Sequence, residues 1–233
     1  MIEDLDFETY LYISKDKFQI FVLNKKKLKN LYSQELKIDH QFDFKDLNIL
    51  LNFLDKNIYK IEKLIGNFIK NIILIVENEK NLKINMGIKK SYETSLKQKS
   101  FSSNLTELKD LFKKNYQDQT IMHMCIINYI IDGKRYSSFD TKLINDYFCI
   151  EVSSIAIDNK LVFAFDNVLE KYQIKIKQYM CGNYINNFIG DTGNEISIIA
   201  NKLRNGLNIN EITIVPKHKE NKGFFEKFFQ LFS

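Results

Sequence analysis

Between Phe44 and Phe68 the apolar residues Phe44, Leu47, Leu50, Leu51, Leu54, Ile58, Ile61, Leu64, Ile65 and Phe68 recur every three or four positions. That spacing predicts one long amphipathic helix, with Asp43 as its N-cap. The segments on either side have a different period. Thr9-Tyr-Leu-Tyr-Ile13 and Phe18-Gln-Ile-Phe-Val-Leu23 are aromatic and β-branched runs separated by Ser14-Lys-Asp-Lys17, so they predict a hairpin. A third strand is expected over 31–38, completing a meander. After the helix, Ile72-Ile-Leu-Ile-Val76 is apolar throughout, as a strand buried on both faces must be. A helix of this length with strands before and after it excludes an all-α and an all-β chain.

The remainder extends the same α+β pattern. A strand is expected over 85–91, and Asn104 with Glu107 resembles a capping box opening a helix through Leu105, Leu108, Leu111 and Phe112. Strands are expected over 122–131 and 149–157, with a turn at Asp132-Gly133. Asp158 is placed to cap a helix carrying Leu161, Phe165, Val168, Leu169 and Tyr172. Ile174 to Tyr179 alternates as a half-exposed strand, Tyr184 to Phe188 begins another helix, and Ile196-Ser-Ile-Ile199 has strand character.

With 233 residues, of which 45% are hydrophobic, the chain can bury a substantial core. Its longest apolar run is five residues, far short of the roughly 20 needed to span a bilayer. The acidic start, Met1 to Glu8, is unlike a secretory signal, so a cytoplasmic protein is expected. Cys125, Cys149 and Cys181 have no metal-ligand spacing and are expected as reduced, structural thiols. His40, His123 and His218 have no ligand partners at a metal-site spacing, and His123 in its apolar strand is expected as a satisfied core histidine. No metal site is expected. The net charge of +5 comes almost wholly from lysine, Arg135 and Arg204 being the two arginines, so it indicates a solvated surface and no nucleic-acid partner. No nucleophile elbow, Walker loop or dinucleotide fingerprint occurs, and Gly190-Asp-Thr-Gly193 is the one glycine-rich stretch.

The chain ends in Gly223-Phe-Phe-Glu-Lys-Phe-Phe-Gln-Leu-Phe-Ser233. Wound as a helix, Phe224, Phe225, Phe228, Phe229, Leu231 and Phe232 fill an arc of roughly 160°. A polar run, Lys217 to Lys222, precedes them as a tether. An apolar stripe flanked by Lys222 and Lys227 fits an anionic membrane interface. Half-burial of those six side chains would gain on the order of 5 to 8 kcal/mol before ordering costs.

The order of elements and several local strings resemble the bacterial actin-like cell-division protein FtsA. The strings are Cys125 to Arg135 with Leu143 to Val152, the helix 161–172 and the strand 174–179, with Asn71 to Val76 as the first strand of the insert. The resemblance covers residues 9–188 and 216–233 of a family close to twice this length. It implies a partial actin-like (ribonuclease H-like) body, α+β, with a small inserted strand-helix-strand-strand subdomain and a C-terminal amphipathic helix. The division is then 1–70 for the first part of the body and 71–180 for the insert and return strand. Residues 181–215 would be a remnant of the second part, 216–222 the tether and 223–233 the membrane helix. Where the family has an aspartate and a glycine-containing phosphate loop, this chain has Tyr12 and Ser14-Lys-Asp-Lys17. The degenerate phosphate-loop positions are therefore Ser14, Lys15, Asp16, Gly190 and Gly193, and the expectation is a non-enzymatic body without cofactor, ATP included. The function implied is a division adaptor on the inner face of the cytoplasmic membrane. It would bind anionic lipids, division proteins including FtsZ, and copies of itself. The alternative is an actin-like ATP-binding protein of a pilus or other membrane assembly.

Overall fold

The computed structural model describes residues 6–39, 42–44, 46–91, 98–137, 147–190 and 195–212. The tether and phenylalanine stripe (216–233), His40, His218 and Gly193 lie outside the described residues.

The first sheet has the order β3-β2-β1-β4-β9. Strands β1 (Phe7–Ile13), β2 (Lys17–Asn24) and β3 (Lys29–Lys37) form the antiparallel meander. Helix α1 (Asn48–Ile65) then carries the chain across to β4 (Asn71–Val76), which runs parallel to β1. Later, α3 (Asn159–Glu170) leads into β9 (Lys175–Cys181), parallel to β4. This is the ribonuclease H-like order expected of one part of an actin-like body.

The alternation of side chains across the sheet explains why β1 and β4 are apolar at successive positions. Leu11, Ile13, Ile72, Leu74 and Val76 face α1 and α3 with Leu54, Ile61 and Phe165. Tyr10, Tyr12, Ile73 and Ile75 face the opposite layer, with Ile185, Ile199 and Leu203 of α4 (Gly182–Asn186) and α5 (Ile196–Arg204). One sheet is thus covered on both sides.

Between β4 and α3 the chain builds a second, antiparallel sheet of order β5-β8-β6-β7. Its members are β5 (Leu82–Ser91), β6 (Gln119–Ile131), β7 (Lys134–Tyr136) and β8 (Tyr147–Asp158), and α2 (Gln98–Asn115) contributes Leu108 to a core with Ile126, Phe148 and Val152. Residues 131 and 134 pair across a two-residue turn in which Asp132 and Gly133 both have positive φ, the turn chemistry the Asp-Gly pair specifies. Strands β6 and β8 are long enough to reach both layers, so Met122 and Ile157 sit in the core of the first sheet while Ile126 and Val152 sit in that of the second.

Several expectations are corrected. The run 71–76 does not open the insert: β4 lies between β1 and β9 in the first sheet, where layers on both sides cover its two apolar faces. Residues 181–204 pack on the first sheet and complete its second layer. Ile196 to Ile199 is helical, since Ile196, Ile199, Ala200 and Leu203 share one face at three- and four-residue intervals. Helix α1 starts at Asn48 and Asp43 is not its cap; Asp46 Oδ1 accepts from the Asn48 N–H at 3.0 Å. The preceding segment is instead held in the core by Phe42, whose ring meets Phe18 edge-on at 4.7 Å, and by Phe44, 6.5 Å from Phe165. The Asn104 capping box also fails, because α2 is already helical from Gln98. Asp158 does cap α3, accepting from Lys160 N–H at 2.7 Å.

Helix α5 is fastened to β1 by a half-buried ion pair. Arg204 Nη1 donates to Glu8 Oε2 at 2.5 Å, and Arg204 Nε donates to Gln178 at 2.8 Å. Tyr10 also donates to Glu8, and Asn201 donates to both. Burial pushes the Glu8 carboxyl up, but Arg204, Tyr10 and Lys177 together outweigh it and hold the group below its ordinary value.

Candidate functional site

In an open sheet with parallel strands, ligands sit at the strands' carboxyl ends. Here those ends are Ile13, Val76 and Cys181, and they bring together the β1–β2 turn, Glu77 and the start of α4. The turn is closed on itself. Ser14 Oγ accepts from the N–H groups of Asp16 (3.3 Å) and Lys17 (3.1 Å), and the Ser14 N–H donates to the Lys17 carbonyl at 3.0 Å. Its carbonyls are used as well, Lys15 O by the Phe42 N–H at 2.8 Å and Asp16 O by the Ile38 N–H at 2.9 Å. A phosphate-binding loop must turn its amides outward to the anion. In this turn the amides of residues 14, 16 and 17 are already bonded inward.

Tyr12, at the end of β1, closes the site further. Tyr12 donates to Glu77 Oε2 at 2.7 Å, and Asn186 of α4 donates to the same oxygen at 2.6 Å. Burial, followed by the bond to Glu77, pushes the Tyr12 hydroxyl far above the usual range, so its proton stays in place. Gly182 packs flat on Glu77: a Cβ there would lie 2.7 Å from Glu77 Cβ and 3.1 Å from its Cα. Lys15 reaches Glu79 at 3.0 Å on the surface. A hollow of about 320 Å³ opens beside Tyr12, lined also by Lys17, Gln19, Asn186, Ile189 and Glu195. The structure therefore brings Ser14, Lys15 and Asp16 to the same end of the sheet as the segment leading to Gly190, but with Tyr12, Glu77 and Asn186 bonded to one another between them.

A second polar cluster was not legible in the sequence. His123 of β6 is buried, and its Nε2 accepts the Cys181 N–H at 2.9 Å. Nε2 is therefore bare, and Nδ1 carries the proton it shares with Glu211 Oε1 at 2.7 Å. Glu211 Oε2 accepts from Tyr184 at 2.9 Å, and the Tyr184 oxygen accepts from Asn208 at 2.8 Å and contacts Cys125 Sγ at 3.4 Å. Burial, then the bond to Cys125, pushes the Tyr184 hydroxyl up, and burial also pushes the Cys125 thiol up, so neither is an activated nucleophile. Main-chain bonds flank the cluster: Ile126 N–H donates to Asn210 O at 2.9 Å and Ile212 N–H to Met124 O at 2.8 Å. His123 is thus the satisfied core histidine expected, and it joins the two sheets and the 208–212 segment at one point. All three cysteines carry free thiols, and no metal-ligating cluster occurs among the described residues.

No protein-family model and no curated protein matches the chain. Solved structures do. One is the cytoplasmic domain of EpsL, an inner membrane component of the type II secretion system of Vibrio cholerae, at 8% identity and TM-score 0.33, covering 76% of this chain and 56% of that one. Another is the PilM–PilN type IV pilus biogenesis complex, at 7% identity and TM-score 0.47, covering 78% and 49%. A third is a Bacteroides thetaiotaomicron protein with actin-like ATPase fold and unknown function, at 14% identity and TM-score 0.31, covering 81% and 58%. The chain spans about half the length of these structures.

Proposed function

We propose that the chain is a non-catalytic scaffold of a membrane-bound protein assembly, held at an anionic membrane by the stripe Phe224 to Phe232 and offering its second sheet to partner proteins. The observation that carries the non-catalytic part is the closed β1–β2 turn, whose amides of residues 14, 16 and 17 are bonded internally, with Tyr12 tied to Glu77 where the resemblance places an aspartate. Two settings suit such a scaffold. The resemblance to FtsA names the division ring, with FtsZ and self-association among its contacts. EpsL and PilM–PilN are described as parts of a secretion system and of a pilus system. A fluorescent fusion of the full chain that collects in a mid-cell ring supports the first setting, and foci at other envelope positions support the second.

The anchor is tested by flotation with vesicles containing phosphatidylglycerol. The full chain is expected to float, and a chain ending at Asn221 to lose most of that binding; equal flotation of the two overturns the anchor.

The hollow beside Lys17 favours a second reading, in which ATP binds there with Glu77 nearby. The scaffold reading expects no change in melting temperature at millimolar ATP with magnesium. A saturable rise of about 5 °C or more, the shift given by a ligand near 100 times its Kd, would replace the scaffold reading with the ATP-binding one.

A further inference from the structure

The carboxyl half of α1 and the loop after it differ from the rest of the surface. Lys56, Tyr59, Lys60 and Lys63 lie along one solvent-facing stripe of the helix, and Leu64, Phe68 and Lys70 continue it. Tyr59 is 72% exposed, Leu64 52% and Phe68 76%, so three large apolar side chains project from this end of the molecule. The one acid between residues 56 and 70 is Glu62, and its Oε1 is taken by the Ile69 N–H at 3.2 Å. Among the described residues Lys56, Lys60, Lys63 and Lys70 have no carboxylate partner, whereas Lys15 pairs with Glu79 and Lys90 with Glu107.

Beside Phe68 a hollow of about 290 Å³ opens at the amino ends of β1 and β4. Lys25, Lys70 and Lys177 line it, with Asp6 bonded to Lys25 at 2.6 Å and Glu8 3.7 Å from Lys177. Glu8 is already held by Arg204, which leaves the lysines in excess. Thr9 also lines the hollow; it is 3% exposed, and its buried Oγ1 has no hydrogen-bond partner. A buried hydroxyl without a partner is costly and rare.

We propose that this face docks on an anionic bilayer, with Phe68, Leu64 and Tyr59 entering the interface and a lipid phosphate seated in the hollow among Lys70, Lys25 and Lys177. The inference rests on the membrane reading above and deepens it, because it adds a second contact that fixes how the body lies on the lipid. Charge complementarity selects an anionic surface. Exposure selects lipid over an acidic protein: Tyr59, Leu64 and Phe68 are each more than half exposed, with Lys56, Lys60 and Lys63 among them, which suits long stems that reach up from an interface to the headgroups.

The chain contains no tryptophan, so Phe68→Trp in the full chain gives a single indole, which can be excited apart from the tyrosines. With phosphatidylcholine vesicles containing phosphatidylglycerol, its emission is expected to shift to the blue and to be quenched by brominated lipid. Phe163→Trp, 68% exposed on α3 between Lys160 and Asp166, is expected not to respond. Lys63→Glu and Lys70→Glu, each added to Phe68→Trp, are expected to weaken the response by roughly five-fold apiece, at about 1 kcal/mol per basic residue. Vesicle binding by Phe68→Trp without a change in its emission overturns this inference and leaves the tail anchor standing. Absence of binding by every variant overturns the membrane reading itself. An equal response on pure phosphatidylcholine, or a response to polyglutamate and not to vesicles, overturns recognition of anionic lipid, the latter in favour of an acidic protein partner.

Discussion

His123→Ala is expected to lower the unfolding free energy by about 3 to 4 kcal/mol in chemical denaturation. The ring is 1% exposed and uses both nitrogens, one on the Cys181 N–H and one on Glu211. Its face also lies 4.3 Å from the Tyr184 ring. Alanine leaves a cavity, a main-chain donor at the end of β9 without its acceptor, and a largely buried carboxylate with one partner fewer. Each unmade bond of this kind costs about 1 to 3 kcal/mol. The loss should be local as well as global. Amide exchange at Ile126 and Ile212, whose bonds hold the 208–212 segment to β6, should speed up far more than at Leu11 or Leu74 in the first sheet. A loss below about 1 kcal/mol, or uniform exchange throughout, would show that the cluster is not the joint described.

The second large effect concerns Glu8 and Arg204. Arg204→Met keeps the stem and removes the charge, and is expected to cost about 2 to 3 kcal/mol at neutral pH because Glu8 stays half-buried without its cation. The sign of the pH dependence follows from Glu8. Its folded value is depressed below the ordinary 4.5, so its contribution is complete above that pH and is lost as the pH falls through the folded value. The wild-type chain should therefore lose stability on acidification below about 4.5 more steeply than Arg204→Met does. Parallel acid profiles for the two would sink the assignment.

Much of the first sheet was readable because its signals are local. Ile72 to Val76 is apolar at five successive positions and rich in β-branched residues, which suits a strand covered on both faces, and α1 repeats its contacts over five turns. The errors occurred where local signals are degenerate. Ile-Ser-Ile-Ile fits a strand and a helix equally, and Ala200 and Leu203 settle it only once the helix is laid on Tyr10 and Ile73. Asp43 looked like a cap because the rival force, burial of Phe42 and Phe44 against Phe18 and Phe165, is a matter of tertiary packing. The closed turn was half visible: Ser14 to Lys17 plainly lacks glycine, but that Phe42 and Ile38 take its carbonyls depends on contacts more than 20 residues away in the chain. The His123 cluster had no sequence signal at all, since its partners lie 58 and 88 residues away and none follows a motif spacing.

The pairing of residues 208–212 with β6 has a mechanical consequence. A pull applied beyond Ile212 does not reach the body through α5 alone. It is shared at once between two main-chain bonds to Met124 and Ile126 and, through Glu211 and His123, the end of β9 at Cys181. Tension would thus enter both sheets together, and the first bonds to yield under rising force should be those of this junction, leaving the five-stranded sheet intact.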